Sequence, residues 1–246
     1  MGRWSRLVAR RFVEGLDPQP DQRWLDVGCG TGALTDTVLD LARPSRMVGV
    51  DTSADFIQMA GQRLGDRAEL HVAGGDDLPF DDGEFDFVVS GLALNFMPDP
   101  PRALSEWRRL IGQGGVVSVY VWDYAGRMGF LRAFWDVARS LDPGSHRFDQ
   151  AERFAICRPD ALQSAFEEAG FSDVGTGSVE IETRFVDFDD FWTPFLNGIG
   201  PAGTYVGSLD DRQRERLRSS LMATISTGDD GAFEFPARAW TAAGGR

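Results

Sequence analysis

Three glycines and two aspartates are spaced as in a turn that holds a ribose-containing ligand. Residues 25–32 read LDVGCGTG, with glycines at 28, 30 and 32. Glycines at alternate positions let the backbone pass close beneath a ligand at a helix N-terminus. Asp26 precedes the turn, and Asp51 ends the next predicted strand 23 residues after Gly28, where a ribose would lie. Together the five residues predict a binding site rather than a tight turn that binds nothing.

The chemistry around this turn favours a cationic ligand over a dinucleotide. A dinucleotide fingerprint places its third glycine where this chain has Ala33. A carboxylate at position 26 would also repel a pyrophosphate, whereas it suits a positively charged amino group. We therefore expect an amino-acid moiety where a dinucleotide carries its phosphates.

Composition limits the function classes further. The chain has 246 residues, 26% charged and 42% hydrophobic, which fits one large globular domain. Its formal charge of -13 disfavours a nucleic-acid partner. Two cysteines and two histidines are too few for a disulfide framework or a histidine-based metal site, so no metal is predicted. A small-molecule partner and a cytoplasmic location are the simplest expectations; no run suggests a membrane span.

The elements that must position the turn alternate strictly between strand and helix. After an amphipathic helix over the first fifteen residues, we predict strands at 23–27, 47–50, 69–73, 85–89 and 116–122. Helices are predicted at 33–41, from a Ser53 cap to Leu64, and from Pro100 to Ile111, with a turn at 112–115 before the fifth strand. This rhythm predicts an α/β protein with a doubly wound, mostly parallel sheet.

The second half of the chain follows a different pattern. We predict helices at 129–141, 159–169, 187–196 and 210–225, and strands at 174–185 and 232–241. The last two strands indicate an antiparallel hairpin at the sheet edge with a helical cap insertion. The predicted organisation is one domain, comprising a lid helix at 1–20, a cofactor-binding half at 21–125 and a substrate-side half at 126–246, with the cap at about 187–226.

The run LDVGCGTG resembles motif I of the class I S-adenosylmethionine-dependent methyltransferases. The resemblance continues through GVDTS at 49–53, LPFDDGEFDFVVS at 78–90 and LIGQGG at 110–115, and covers residues 23–122. The LPF signature and the segment from Asn95 to Asp99 are most similar to the type 11 group, which includes quinone-biosynthesis methyltransferases. The resemblance implies a Rossmann-like methyltransferase fold, S-adenosylmethionine as cofactor and S-adenosylhomocysteine as product.

By position, the resemblance also implies a set of cofactor contacts. Asp26 and the glycine turn would hold the methionine moiety, Asp51 the ribose, residues before Leu78 the adenine, and the segment at 90–92 the floor near the methyl group. The implied residues are Asp26, Gly28, Cys29, Gly30, Thr31, Gly32, Asp51, Thr52, Ser53, Gly75, Asp76, Asp77, Leu78, Ser90, Gly91 and Leu92. One departure is Gly74, which stands where the family has an acid, so Asp76 or Asp77 would read the adenine instead.

Residues that would act on the acceptor are less clearly marked. Methyl transfer needs a general base only when the acceptor must lose a proton. His146, Asp123 and Tyr124 follow the fifth strand, close to the edge where such sheets bind ligands, and are the catalytic candidates. Trp4, Arg6 and Asn95 are further candidates for cofactor contact, with Trp4 equally suited to the core.

The sequence therefore predicts an S-adenosylmethionine-dependent methyltransferase that acts on a small aromatic or apolar molecule by in-line transfer. One alternative is a protein that binds S-adenosylmethionine or S-adenosylhomocysteine without turnover. A nicotinamide-dependent oxidoreductase is a second alternative, disfavoured by Ala33 and Asp26. The oligomeric state, the acceptor and the methylated atom are not indicated by the sequence.

Overall fold

The computed structural model describes residues 2–198 and 200–246. The helices are α1 Gly2–Gly15, α2 Ala33–Ala42, α3 Ala54–Leu64, α4 Pro100–Leu110, α5 Gly129–Leu141, α6 Gln150–Arg153, α7 Pro159–Glu168, α8 Phe188–Leu196, α9 Gly200–Ser208 and α10 Asp211–Thr224. The strands are β1 Arg23–Val27, β2 Arg46–Asp51, β3 Glu69–Val72, β4 Phe85–Gly91, β5 Ile111–Trp122, β6 Ser172–Phe185 and β7 Phe233–Gly245. Met1 and Ile199, which the predicted lid helix and cap include, lie outside the described residues.

The strands of the described chain form one seven-stranded sheet in the order β3-β2-β1-β4-β5-β7-β6. Strand β1 pairs in parallel with β2 and β4, β2 with β3, and β4 with β5, whereas β5 and β7 are antiparallel. Helices connect β1 to β2, β2 to β3 and β4 to β5, as right-handed crossovers require, whereas a segment without regular structure joins β3 to β4. The doubly wound, mostly parallel sheet with an antiparallel strand near its edge is confirmed.

The strand register brings the carboxyl ends of β1, β2, β4 and β5 to one edge of the sheet. Asp26 is level with Gly49 on β2 and with Val89 on β4. Gly91 at the end of β4 is level with Tyr120 on β5. Because strand order reverses between β1 and β4, this edge contains the crevice where open α/β sheets bind ligands.

Local signals start two of the helices that flank this crevice. The Ser53 hydroxyl accepts a hydrogen bond from the Phe56 amide at 3.3 Å and caps α3. The Asp99 carboxylate accepts from the Arg102 amide at 3.1 Å, and Pro100 occupies the first turn of α4, where its missing N–H costs nothing. Both helix starts were predicted at these residues.

Apolar side chains on β1 and the helices around it form the core. Trp24 and Leu25 are fully buried, and the Trp24 ring stacks on Phe87 of β4 with centroids 4.2 Å apart. Helix α1 buries one face, with Val8 and Phe12 inward, while its arginines point outward as predicted. Each such side chain contributes roughly 1.5–3 kcal/mol by leaving water.

Three details of the predicted elements were wrong. The predicted turn at 112–115 is part of β5, which pairs with β4 through a register shift between Phe85 and Phe87. Helix α9 was not predicted, because its glycine-rich sequence has no clear apolar stripe. Strand β7 extends to Gly245, beyond the predicted Thr241, because its small residues pair with β5 and leave room for the Phe171 ring against Gly244.

The described chain divides into two compact units. The first comprises residues 1–122, 158–179 and 239–246, and the second comprises 123–157 and 180–238. No helix in the described part is both long and apolar enough to cross a bilayer. Within the same residues, no three His, Cys, Asp or Glu side chains are grouped as a metal site would need.

Candidate functional site

A cavity of about 620 Å³ lies in the first unit, at the carboxyl edge of the parallel strands. Its lining comes from β1 and the turn after it, the end of β2, the segment after β3, the end of β4 with the segment after it, β5, and parts of α1, α2, α3 and α4. The lining residues are Ser5, Asp26, Val27, Gly28, Cys29, Gly30, Thr31, Ala33, Leu34, Asp51, Thr52, Phe56, Ala73, Gly74, Gly75, Asp76, Gly91, Leu92, Ala93, Phe96, Met97, Pro98, Asp99, Ala103 and Tyr120. The volume suits a ligand of nucleoside size or larger.

The glycine turn forms one wall of the cavity through its backbone. The amides of Gly28 and Cys29 both donate to the Val50 carbonyl, at 2.8 and 2.9 Å, which ties the turn to β2. Gly28 has a φ of 75°, and a Cβ there would lie 2.3 Å from the Ala93 Cβ. Only glycine permits this approach between the turn and the segment that follows β4.

Asp26 is a fully buried carboxylate with one unpaired oxygen. Its Oδ2 accepts a hydrogen bond from the Thr35 hydroxyl at 2.7 Å, whereas its Oδ1 has no partner in the described chain. Burial raises the pKa of this carboxyl to about 7; hydrogen bonds from Thr35 oppose the rise and the charge of Asp51 adds to it. A buried carboxylate without a cation is costly, so the site is built for a cationic ligand group.

Asp51 is fixed at the end of β2 by two backbone amides. Its Oδ2 accepts from the Gly30 amide and its Oδ1 from the Ser53 amide, both at 2.9 Å. The first bond links Asp51 to the glycine turn and the second to the start of α3. Each carboxylate oxygen keeps a free lone pair, so the group can still accept hydrogen bonds from two hydroxyls.

Helix α4 anchors the segment that follows β3. The Trp107 indole donates to the Gly75 carbonyl at 2.7 Å, and the Glu106 carboxylate accepts from the Leu78 amide at 3.0 Å. Arg102 of the same helix lies 3.5 Å from the Asp76 carboxylate. These contacts hold Gly74, Gly75 and Asp76 at the cavity while the segment itself has no regular structure.

The end of β4 forms the opposite side of the cavity. Leu92 has a φ of 61°, a left-handed conformation that is unusual for leucine and that concentrates at functional sites. Its amide donates to the Tyr120 carbonyl at 2.8 Å, which holds the bend against β5. Phe96 and Phe56 line the cavity with 65% and 47% of their surfaces exposed, so its rim is apolar.

Five residues predicted from the resemblance as cofactor contacts do not line the cavity. Gly32 faces α3, where a Cβ would lie 2.9 Å from Leu64. The Ser90 hydroxyl points back to the Val27 carbonyl at 2.7 Å, and Leu78 is buried beside α4. Ser53 caps α3, and Asp77 is exposed outside the lining. Of the two candidates for contact with the adenine, only Asp76 therefore lines the cavity.

The three further candidates for cofactor contact also lie outside the lining. Trp4 is buried on the inner face of α1, with the Arg3 guanidinium 4.3 Å from its ring centre. Arg6 is exposed on the outer face of the same helix, and Asn95 is buried beneath the end of β4. It is Ser5 that α1 contributes to the cavity instead.

The three predicted catalytic residues belong to the second unit and do not line the cavity. His146 is exposed, and its Nδ1 lies 2.8 Å from the Pro143 carbonyl oxygen. Burial pushes the pKa of Asp123 up, but bonds from the amides at 127 and 126 and from Arg238 hold it below its ordinary value. Tyr124 is buried, which raises its pKa above the ordinary range of tyrosine.

Sequence reasoning missed several lining residues. They are Ser5, Val27, Ala33, Leu34, Phe56, Ala73, Gly74, Ala93, Phe96, Met97, Pro98, Asp99, Ala103 and Tyr120. Tyr120 lies two residues from Ser118 on β5 and shares the face of Asp26 only through the strand register, which local sequence does not give. Phe96 and Met97 carried no usable signal either, because only the fold of the segment after β4 brings them to the cavity.

The lining charges are of one sign. Asp26, Asp51, Asp76 and Asp99 line the cavity, and no basic residue lines it in the described part of the chain. Such a cavity favours a ligand with net positive charge and disfavours a pyrophosphate. A sulfonium with an α-amino group fits this set, and the unpaired oxygen of Asp26 offers the amino group a partner.

The sequence is similar to those of known methyltransferases. The family model described as "Methyltransferase domain" matches residues 25–119. A malonyl-[acyl-carrier protein] O-methyltransferase of Geobacter sulfurreducens is 32% identical over 237 residues, which cover 95% of this chain and 85% of that protein. A demethylmenaquinone methyltransferase of Staphylococcus carnosus is 26% identical over 178 residues, which cover 67% of this chain and 74% of the relative.

Solved structures show the same fold. A structure from Bacillus halodurans superposes with a TM-score of 0.62 at 16% identity. The superposition covers 95% of this chain and 96% of the Bacillus chain. At that identity the likeness concerns the fold, whereas the match to the Geobacter relative extends along nearly the whole sequence. The chain therefore belongs to the S-adenosylmethionine-dependent methyltransferases of the type 11 group.

Proposed function

We propose that the protein transfers a methyl group from S-adenosylmethionine, bound in the cavity of the first unit, to a small aromatic or apolar acceptor. The observation that carries the proposal is the acidic lining, with four carboxylates and no basic residue among the described positions. S-adenosylmethionine carries a sulfonium and an ammonium against one carboxylate, so its net charge complements that of the cavity.

Particular residues would hold each part of the cofactor. The buried carboxylate of Asp26, with Oδ1 unpaired, would accept from the α-amino group. Asp51, held by two amides, would accept from the ribose hydroxyls, as its position at the end of β2 suits. Asp76, with Gly74 and Gly75 beside it, would lie along the adenine. When bound, the cofactor supplies an electrophilic methyl group on sulfur.

The protein's own contribution to the reaction is alignment and exclusion of water. In-line displacement at a sulfonium disperses positive charge. It is accelerated when the protein holds the acceptor atom close to the methyl group and excludes water from both. The backbone at Gly91 and Leu92 and the apolar groups Phe96 and Met97 would shape the space beside the methyl group. His146, Asp123 and Tyr124 are outside the lining, so the proposal gives them no proton-transfer role.

The same lining supports a neutral acceptor. An acceptor carboxylate would approach four carboxylates without meeting a basic lining residue in the described chain. A phenol, quinol or amine avoids that repulsion, and exposed Phe56 and Phe96 suit an apolar body. Of the two relatives' named substrates, we therefore favour the quinone type over the malonyl carrier for this chain.

Calorimetry followed by a methyl-transfer assay tests the proposal. We expect micromolar binding of S-adenosylmethionine and S-adenosylhomocysteine, and none of NAD. Labelled methyl transfer should then be measured to a panel of quinols, phenols, amines and malonyl thioesters, with activity expected among the neutral acceptors. Absence of S-adenosylmethionine binding to folded protein would overturn the cofactor site, and transfer to malonyl thioesters alone would overturn the acceptor class.

A further inference from the structure

Tyr120 is a buried phenol that the motif comparison left unassigned. It is 2% exposed, belongs to β5 and lines the cavity. Its ring extends across Gly91 of the neighbouring strand, so that a Cβ at position 91 would lie 2.4 Å from the tyrosine hydroxyl oxygen. Phe12 of α1 packs on the other side with ring centroids 4.7 Å apart, which fixes the ring in place.

The hydroxyl of Tyr120 has no hydrogen-bond partner within the described chain. It is not one of the fully enclosed polar atoms that lack a partner, so the hydroxyl opens to the cavity and is available to a ligand. The phenol also lies close enough to Asp26 to be influenced by that charge. Both residues line the cavity and project from the same face of the sheet, since Asp26 is level with Val89 and Ser118 and Tyr120 lies two residues beyond Ser118.

The α-amino group of a methionine moiety suits Asp26, whereas its carboxylate needs donors. The described lining contains no basic side chain, so these donors are backbone amides of the glycine turn or the hydroxyls of Ser5, Thr31, Thr52 and Tyr120. Tyr120 shares the sheet face of Asp26, which would hold the neighbouring amino group. A neutral O–H is the kind of donor that can serve there without lowering the charge selectivity of the cavity. Burial, with the charge of Asp26, raises the pKa of Tyr120, so the phenol keeps its proton at neutral pH.

We propose that the Tyr120 hydroxyl donates a hydrogen bond to the carboxylate of the cofactor's methionine moiety, beside the Asp26 carboxylate that accepts from its amino group. This inference rests on the proposed cofactor site. It assigns Tyr120 as a binding residue that places the methionine moiety against Gly91, at the end of β4. Glycine at 91 is then required because any side chain would displace the phenol.

Binding of ligands with and without the amino-acid moiety tests the assignment. For Tyr120→Phe, we expect the dissociation constants of S-adenosylmethionine and S-adenosylhomocysteine to rise about tenfold or more, since hydrogen bonds to charged groups are the strong ones. The dissociation constant of 5′-methylthioadenosine, which lacks the amino-acid moiety, should change less than about twofold. Calorimetry gives all three values.

Two companion variants separate a ligand contact from a general packing effect. Tyr205→Phe makes the same chemical change in the second unit, where the hydroxyl lies 3.4 Å from Asp142, and should leave all three affinities unchanged. Gly91→Ala should displace the phenol and reproduce the loss for the two amino-acid ligands. Melting curves establish that each variant is folded before titration.

Two results would overturn the inference while leaving the cofactor site intact. One is unchanged affinity of Tyr120→Phe for S-adenosylmethionine. The other is an equal loss for S-adenosylmethionine and 5′-methylthioadenosine, which would make Tyr120 a packing residue. If the wild-type protein failed to bind S-adenosylmethionine, the proposed function itself would fall.

Discussion

A buried carboxylate at Asp26 dominates the chemistry of the site at the level of single residues. The Thr35 hydroxyl satisfies one of its oxygens, and the other is unpaired. Because burial penalises the charged form, the group has a pKa of about 7 instead of its ordinary 3.8. The charged form of Asp26 therefore destabilises the unliganded protein, and a bound ammonium group would neutralise that charge.

The Asp26→Asn variant should be more stable than the wild type at high pH. The folded chain holds the proton of Asp26 more tightly than the unfolded chain, so stability falls as pH rises from about 4 to about 7, and the loss is complete above that range. Asparagine has no charge to bury. We expect its melting temperature to exceed that of the wild type by at least about 2 °C at pH 8, with a smaller difference at pH 5.

Calorimetry of the same variant supplies the functional half of this prediction. Asp26→Asn should bind S-adenosylmethionine more weakly, because the amide cannot offer its amino group a charge. Asp40→Asn, an exposed carboxylate on α2, is the matched control and should change neither property. A difference in melting temperature that did not depend on pH would contradict the assigned pKa.

Loss of the Asp51 carboxylate should weaken cofactor binding by roughly 1–3 kcal/mol, since it would remove charged hydrogen bonds to the ribose. Titration of Asp51→Ala with S-adenosylmethionine measures the effect. Asp55→Ala, in the first turn of α3, removes an exposed carboxylate nearby and should bind normally. If the two variants bound S-adenosylmethionine with equal affinity, Asp51 would not be a contact of the cofactor.

Among the elements, α4 positions the segment after β3, and it lines the cavity itself through Ala103. Its Trp107 and Glu106 bond to the backbone of the segment after β3, at Gly75 and Leu78. This segment has no ladder or helix of its own, so its conformation depends on these bonds. The element therefore shapes this side of the cavity mainly through the loop that it holds.

Trp107→Phe should destabilise the protein by about 1–3 kcal/mol and raise the dissociation constant of S-adenosylmethionine. It leaves the Gly75 carbonyl without its donor, as well as reducing ring volume. Trp122→Phe is a suitable control, because Trp122 is 1% exposed and its indole N–H has no partner in the described chain. Denaturant unfolding and calorimetry should show that only Trp107→Phe affects both stability and binding.

For the whole molecule, charge sets the ligand preference. The formal charge is -13, and the cavity lining adds four carboxylates without a basic residue at the described positions. Both favour a cationic ligand over an anionic one, and both act through fields that salt screens. The sulfonium of the cofactor carries the charge that its product lacks.

Binding of S-adenosylmethionine should weaken several-fold when ionic strength rises from about 0.05 to about 0.5 M, because the Debye length falls well below the cavity dimensions. S-adenosylhomocysteine lacks the sulfonium charge and should respond less. The two ligands serve as each other's control in one calorimetric series. Equal salt dependence would show that the charge of the cavity does not distinguish them.

The alternation of strands and helices through β5 and the position of the glycine turn could be predicted from the sequence alone, whereas α6 and α9 could not. The predictable features depend on local physics: periodic apolar residues, a serine and a proline at helix starts, and glycines where the backbone must take positive φ. Gly28 has φ 75° as such a turn requires, Ser53 caps α3 as predicted, and α4 begins at the predicted Pro100.

The residues of the glycine turn and Asp51 were predicted at the site, but the other side chains that line the cavity depend on the tertiary structure. Ser90 was predicted at its floor, yet its hydroxyl turns to the Val27 carbonyl, 63 residues away in the chain. Tyr120 reaches the cavity only because β5 lies beside β4 and Gly91 leaves room for its ring. Side-chain direction depends on sheet order, register and long-range packing, and local sequence carries none of these.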